Sequence, residues 1–459
     1  MYDQLLDRAR AHALQFLSTV ESRHVGTRSS RDALAASIGG PLPQESSEPI
    51  DVINRLAAAA DAGIVATAGP RYFGFVTGGT HPAALAADWL VSAWDQNTAL
   101  YVMSPAAAVI EDAAAAWILD VLGLPERASV GFVTGAHMAN LTALAAARHH
   151  VLRKAGWDVE AQGLQGAPRV HVVVGAEAHV SIFAALRLLG FGTDTIRRAA
   201  ADPQGRMIPE ALARELAQCD GPTIVCAQAG HVATGAFDPF EAITELARRH
   251  GAWLHVDGAF GLWAAGSPNY RPLLRGVERA DSWTTDAHKW LNVPYDCGIV
   301  MCADSGAHRA AMSQLASYLI RGSDEQRNGM DWVPEASRRA RGVPVYAVMR
   351  ALGRRGIATL VEHCCALAAR MAAALRREPG IQILNDVVLN QVLVRCGDDT
   401  AAVIARVQQE GVCWLGGTTW QGEQAMRISV SSWRTTEDDI DRSAESIVRA
   451  HQACSAQRV

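Results

Sequence analysis

The sequence predicts an α/β fold, with a mainly parallel sheet in a large domain and a small α+β C-terminal domain. Three observations lead there. Apolar, β-branched runs recur at 130–134, 170–174, 223–227, 253–256 and 298–302, with weaker ones at 195–198 and 282–285. Helical patterns fill most of the gaps between them, at 139–153, 180–189, 209–218 and 239–250. The alternation ends after Ala303, and a different pattern follows. Strands alternating with helices imply a parallel sheet covered on both faces. A short apolar run alone does not separate buried strand from buried helix, so the alternation carries the prediction.

The elements follow in chain order. Residues 1–70 hold two helical stretches, 2–22 and 49–62, around a loop rich in Pro, Gly and Ser. Pro49 sits where a helix tolerates proline, in its first turn. This segment reads as an arm with little core of its own. The large domain spans 71–320. Residues 321–459 begin as a polar, glycine- and arginine-containing loop and continue as a helix over 345–376. Strand-like pieces at 381–384, 391–395 and 426–430 and a last helix over 436–453 complete the small domain.

Composition bounds the function. Hydrophobic residues make up 49% and charged residues 19% of the 459, a globular balance. A formal net charge of −5 argues against a nucleic-acid or anionic-membrane partner. The alanine-rich runs are broken by Asp88 and by Glu111-Asp112, so neither reads as a membrane span. Nine cysteines lack metal-ligand spacing and read as reduced thiols of a cytoplasmic protein. The N-terminus shows no signal-peptide core.

Two motifs carry the chemistry. His255-Val-Asp257-Gly-Ala-Phe260 puts an acid at the end of one predicted strand. Asp281-Ser-Trp-Thr-Thr-Asp-Ala-His288-Lys289-Trp290 puts a His-Lys pair just past another. Lys289 lies 32 positions after Asp257 (289 − 257), room for one turn, one helix and one strand. Both side chains then reach the same sheet edge. An amine and a carboxylate so delivered suit pyridoxal 5'-phosphate. Lysine forms a Schiff base, and aspartate keeps the pyridine nitrogen protonated and electron-withdrawing. Read singly, Lys289 is also a surface lysine and Asp257 a helix cap.

Asp257 to Phe260 together with His288-Lys289-Trp290 resemble the signatures of the group II pyridoxal-phosphate decarboxylases. That family includes aromatic amino acid, histidine, glutamate and diaminobutyrate decarboxylases, with sphingosine-phosphate lyase a relative. The resemblance runs from about Arg71 to the C-terminus. It implies pyridoxal-phosphate fold type I (aspartate aminotransferase-like) and decarboxylation of an L-amino acid, a small-molecule substrate. It also implies a homodimer with shared active sites, the N-terminal segment packing across the partner.

The remaining site residues follow from the same resemblance. Gly135, Ala136 and His137 occupy the place of the phosphate-binding loop, where the family usually has serine or threonine. A strand running into a helix here offers free amides and a favourable dipole to a phosphate, and is equally an ordinary turn. His179, just past a strand, matches the histidine that stacks on the cofactor ring. His231 stands where a threonine pair is usual; it serves as a substitute donor or as a structural histidine. His288 is expected to help hold the phosphate, within a cationic or desolvated setting that keeps the lysine nucleophilic. Phe75 and Thr77 match substrate-facing positions, and Arg427 the carboxylate-binding arginine of this fold; core packing or a surface strand accounts for them as well. Relatives protonate Cα with a loop tyrosine, whereas the stretch from Ile320 to Val333 has none, and Tyr318 and Tyr346 do not align with it. Decarboxylation therefore competes with another carbon–carbon cleavage of aldolase type, and with transamination or oxidative deamination.

Overall fold

A seven-stranded sheet is built from β1 (Ser129–Val133), β2 (His171–Gly175), β3 (Arg197–Ala199), β4 (Thr223–Gln228), β5 (Trp253–Asp257), β6 (Ser282–Asp286) and β7 (Gly298–Cys302). The computed structural model describes residues 2–314 and 326–456. The strand order is β1-β7-β6-β5-β4-β2-β3. Strands β3, β2, β4, β5 and β6 pair in parallel, while β7 runs antiparallel to both β6 and β1. The expected mainly parallel sheet is present. Every residue of β1, β5, β6 and β7 is buried, which explains why these strands read as continuous apolar runs rather than alternating ones.

Helices Ala136–Lys154, Val180–Leu188, Pro209–Leu216 and Phe240–His250 follow β1, β2, β3 and β4. The first is packed by small residues. Ala139, Ala143 and Ala146, spaced by four and three, form one fully buried stripe against Val133, Val300 and Cys302. Further along, Leu144 and Val151 join Val172, Val174, Ile182 and Ile224 in the adjoining core. Each such aliphatic side chain contributes about 1.5–3 kcal/mol through burial.

Contacts group the chain into two compact units. One contains Gly78–Ala369 and Asn385–Val392, and therefore the whole seven-stranded sheet. It also contains two helices that the sequence reading left unassigned, Pro82–Trp94 and Pro105–Leu122, each entered through a proline in its first turn. At the outer edge of β1, Arg338 donates to the Phe132 carbonyl and to Glu111, and Arg327 donates to the Val130 carbonyl. These side chains occupy carbonyls that an edge strand otherwise leaves open.

The other unit contains the chain up to Thr77 with Arg370–Leu384 and Leu393–Val459. Its sheet has the order β10-β11-β9-β8, from β8 (Gln382–Ile383), β9 (Gln391–Arg395), β10 (Gly416–Trp420) and β11 (Glu423–Ser429). Strand β10 and helix Thr400–Glu410 were not anticipated. Buried Arg71 ties the early chain to the late: it pairs with Asp439 at 2.7 Å and donates to the carbonyls of Val412 and Glu21. Helix Gly342–Leu375 is long and apolar enough to cross a membrane, yet half of its apolar window is buried and Gly353 (φ 60°) breaks it. A core helix meets the same test.

Candidate functional site

The site begins with a register. Asp257 pairs with Thr284 across parallel strands β5 and β6, so the carboxyl ends of the two strands emerge side by side. Ligands of open α/β sheets bind at that edge. Lys289 follows the end of β6 by three residues, and its Nζ lies 2.8 Å from Asp286 Oδ2. The turn beyond is held by Asn292, whose left-handed backbone (φ 57°) lets Nδ2 donate to the carbonyls of Lys289 and Trp290. Trp290 is buried with its ring 6.4 Å from Phe260, which anchors the segment carrying the lysine.

The amine therefore faces an anion. Of the cationic or desolvated setting expected from the sequence, the first is absent from its ion pair: its partner is Asp286, itself buried. The same carboxylate accepts from the Ala136 amide through Oδ1 at 2.6 Å. Gly135, the N-cap of helix Ala136–Lys154, has no side chain with which to cap it. A helix N-terminus binds an anionic oxygen in this way because its first amides are unpaired and its dipole is positive there. Side chains are excluded around this point. A Cβ on Gly298 would overlap the backbone of Gly135, and one on Gly78 would overlap the Lys289 carbonyl. His137, next in the turn, is exposed.

His288 is buried beside the same carboxylate, Nε2 lying 3.6 Å from Asp286 Oδ1. The Cys297 amide donates to its Nδ1, and the Tyr295 ring lies 4.4 Å away. Burial holds this imidazole below its ordinary pKa against the opposing pull of Asp286. Being neutral, it carries its proton on Nε2.

Asp257 is buried and its two oxygens are held separately. Oδ1 accepts from the Ala259 amide, and Oδ2 from Asn140 Nδ2, both at 3.1 Å. His179 caps helix Val180–Leu188, its Nδ1 accepting from the Ser181 amide and hydroxyl. His231 is buried in a tight turn, and its Nδ1 accepts from the amides of Ala233 and Thr234.

Phe75, Thr77 and Arg427 belong to the other unit. Phe75 is 65% exposed at φ 56° and stacks on Trp414, which also stacks on Tyr72. Thr77 is buried, and Arg427 lies mid-strand in β11, where burial lowers its pKa. Of the loop read for a tyrosine, residues 320–325, like Tyr318, lie outside the described residues.

Sequence reasoning missed Asp286, Asn140, Ser181, His255 and Thr284. Asp286 was the most accessible of these, an acid closing a strand three residues before the lysine. The others gave no signal, since nothing in a lone asparagine inside a helix tells which side chains it meets.

Comparison with known proteins agrees with this fold. Residues 38–396 match the family model described as the pyridoxal-dependent decarboxylase conserved domain. The acidic amino acid decarboxylase GADL1 of Mus musculus is 31% identical over 330 residues, which is 70% of this chain and 59% of that protein. The cysteine sulfinic acid decarboxylase of Homo sapiens is 29% identical over 330 residues, 70% of this chain and 66% of that protein. The chain thus spans about three-fifths to two-thirds of the length of these curated relatives. The crystal structure of Oryza sativa TDC with PLP and tryptamine superposes with a TM-score of 0.92 at 25% identity, covering 99% of this chain and 98% of that one. Mouse CSAD superposes at 0.90 with 22% identity, over 98% of each chain, a likeness of fold.

Proposed function

The chain belongs to the pyridoxal-dependent decarboxylase family, and from that premise we propose that it releases carbon dioxide from an L-amino acid, with pyridoxal 5'-phosphate held at Lys289. One observation carries the reading. The β5–β6 register sends Asp257 and the segment bearing Lys289 to a common sheet edge. The residues fit the cofactor, because an anionic oxygen already bonds the first amide of the adjoining helix. In this reading Lys289 holds the aldehyde carbon and Asp257 faces the ring nitrogen. Gly135, Ala136, His137 and His288 surround the phosphate, His179 covers the ring, and His231 contributes a donor. When bound, the cofactor would supply an electron sink for the pair left as the bond from Cα to the carboxylate breaks.

The protein's own groups prepare for this. The Asp286 carboxylate keeps the lysine amine at the sheet edge. Bonds to both oxygens of Asp257 fix the direction in which it presents its charge. Such preorganised dipoles cost no rearrangement during reaction. Phe75, Thr77 and Arg427 are assigned to the substrate. A homodimer is part of the proposal, supported by the exposed apolar side chains Trp89, Leu90 and Trp94 on one helix. A cytoplasmic setting is supported by nine free cysteines.

A second reading rests on the missing tyrosine between Ile320 and Val333. The same electron sink serves cleavage of Cα–Cβ, transamination or oxidative deamination when Cα is not protonated by that route. The experiment supplies the cofactor and a panel of L-amino acids: aspartate, glutamate and cysteine sulfinate, for which sequence relatives are named, and tryptophan and tyrosine. Carbon dioxide with an equimolar amine supports decarboxylation. Keto acid, or glycine with aldehyde, in place of carbon dioxide would overturn it in favour of the second reading.

A further inference from the structure

Behind the proposed site lies a buried polar network with one residue at its centre. Asn140 is fully buried in helix Ala136–Lys154. Its Nδ2 donates to Asp257 Oδ2 at 3.1 Å and to Ser181 Oγ at 3.2 Å. Its Oδ1 accepts from Thr284 Oγ1 at 2.7 Å and from His255 Nε2 at 3.0 Å. Four bonds are the full hydrogen-bonding capacity of a primary amide. Since an ionised carboxylate only accepts, the end facing Asp257 must be the nitrogen.

The network is directional. His255 is fully buried, and desolvation pushes its pKa down to about 3, so it is neutral. With its proton on Nε2 for Asn140, its Nδ1 accepts from the Ser282 hydroxyl at 3.0 Å. Ser282 Oγ in turn accepts from Trp253 Nε1 at 2.9 Å. On the other side, Ser181 accepts from Asn140 and donates its own hydroxyl proton to His179 Nδ1 at 2.8 Å. Proton donation therefore runs from Trp253 through Ser282, His255 and Asn140. There it divides between Asp257 and, by way of Ser181, His179. Reversing one member leaves a buried donor facing a donor, which low dielectric makes costly.

We propose that Asn140 is a positioning residue that sets Asp257 and His179 together, so that the carboxylate direction and the imidazole orientation depend on one amide. This deepens the reading of the site as a pyridoxal-phosphate centre and rests on it. Asn140 touches neither cofactor nor substrate in this scheme; it acts through the two groups that do. His179 keeps its proton on Nε2 because the Ser181 amide and hydroxyl both address Nδ1; what Asn140 adds is the position of that hydroxyl.

The test uses the holoenzymes of Asn140→Ala, Ser181→Ala and the double variant. The dissociation constant of pyridoxal 5'-phosphate is read by equilibrium dialysis, and the ring's surroundings by visible circular dichroism. Asn140→Ala is expected to weaken cofactor binding about tenfold, as loss of a bond to a charged group does, and to change the visible band. Ser181→Ala should change the band while leaving binding within about threefold, because it breaks only the His179 branch. The double variant should match Asn140→Ala within about twofold, since both lesions lie on one path. Unchanged binding and band in Asn140→Ala, or losses that multiply in the double variant, overturn the proposal. Should Asn140→Ala not fold, Ser181→Ala decides: an unchanged band overturns it and a changed one supports it. Neither readout needs substrate, so a wild type that binds the cofactor yet releases no carbon dioxide defeats the decarboxylase reading without touching this one.

Discussion

Lys289 Nζ and Asp286 Oδ2 stand 2.8 Å apart at the end of β6, and the other oxygen of that carboxylate closes the first turn of helix Ala136–Lys154. One acid thus ties the Lys289 amine to the N-terminus of that helix. Its position holds strand, turn and lysine together.

Lys289→Ala is expected to abolish turnover. The chain makes the chemical test unusually clean, because Lys154 and Lys289 are its two lysines. Borohydride reduction of the cofactor-loaded protein should add one cofactor mass to the peptide bearing Lys289. Label on Lys154, or activity retained in Lys289→Ala, contradicts the assignment.

Asp286→Ala should destabilise the apoprotein by about 1–3 kcal/mol, since it strands the buried Ala136 amide. Urea denaturation measures it. Asp286→Asn keeps an acceptor for that amide and should recover most of the loss. Equal losses in the two variants would show that the hydrogen bond contributes little.

Glu111→Ala should cost about 3–5 kcal/mol. Arg338 is fully buried, 3.0 Å from Glu111 Oε2, and it also serves the carbonyls of Thr98 and Phe132. Removing the acid leaves a buried guanidinium uncompensated. Pairing the change with Arg338→Met should restore much of the stability; if it does not, the pair is not the cause.

Acid should destabilise the fold through its buried histidines. Burial pushes His308 down to about 4 and His255 to about 3, against an ordinary 6.5. Unfolded chains then bind more protons than the native state below pH 6.5, so stability is full above that pH and falls as the pH drops toward 4. Each histidine contributes about 1.4 kcal/mol per pH unit in that window. Asp238, raised by burial to about 6, acts in the opposite sense below that pH and offsets part of the slope. Replacing His308 with Gln should remove close to one proton from the slope between pH 4 and 6.5. An unaltered slope in urea melts would show that His308 is protonated in the native state.

Much of this protein was legible in its residues. The strand–helix alternation located all seven strands of the large sheet within a few residues of their ends, because buried parallel strands are apolar throughout and their connecting helices are not. The placement of Asp257 and Lys289 at neighbouring strand ends followed from a spacing that admits one crossover. Helices Pro82–Trp94 and Pro105–Leu122 were harder. Their exposed faces carry apolar residues as well, Trp89, Leu90 and Trp94 on one and Val109 on the other, so the amphipathic contrast is small.

The chain's own order determined which groups arrive at the sheet edge, since strand direction and crossover length are local properties. Tertiary structure alone decided what those groups meet. Asn140 reaches Asp257 across 117 positions and Thr284 across 144, and Arg71 reaches Asp439 across 368. Side-chain partners depend on how helices and strands pack, and no periodicity encodes that. The motif around the lysine was readable; that its partner is the buried Asp286 carboxylate became visible only once β6 and the helix beside it were folded together.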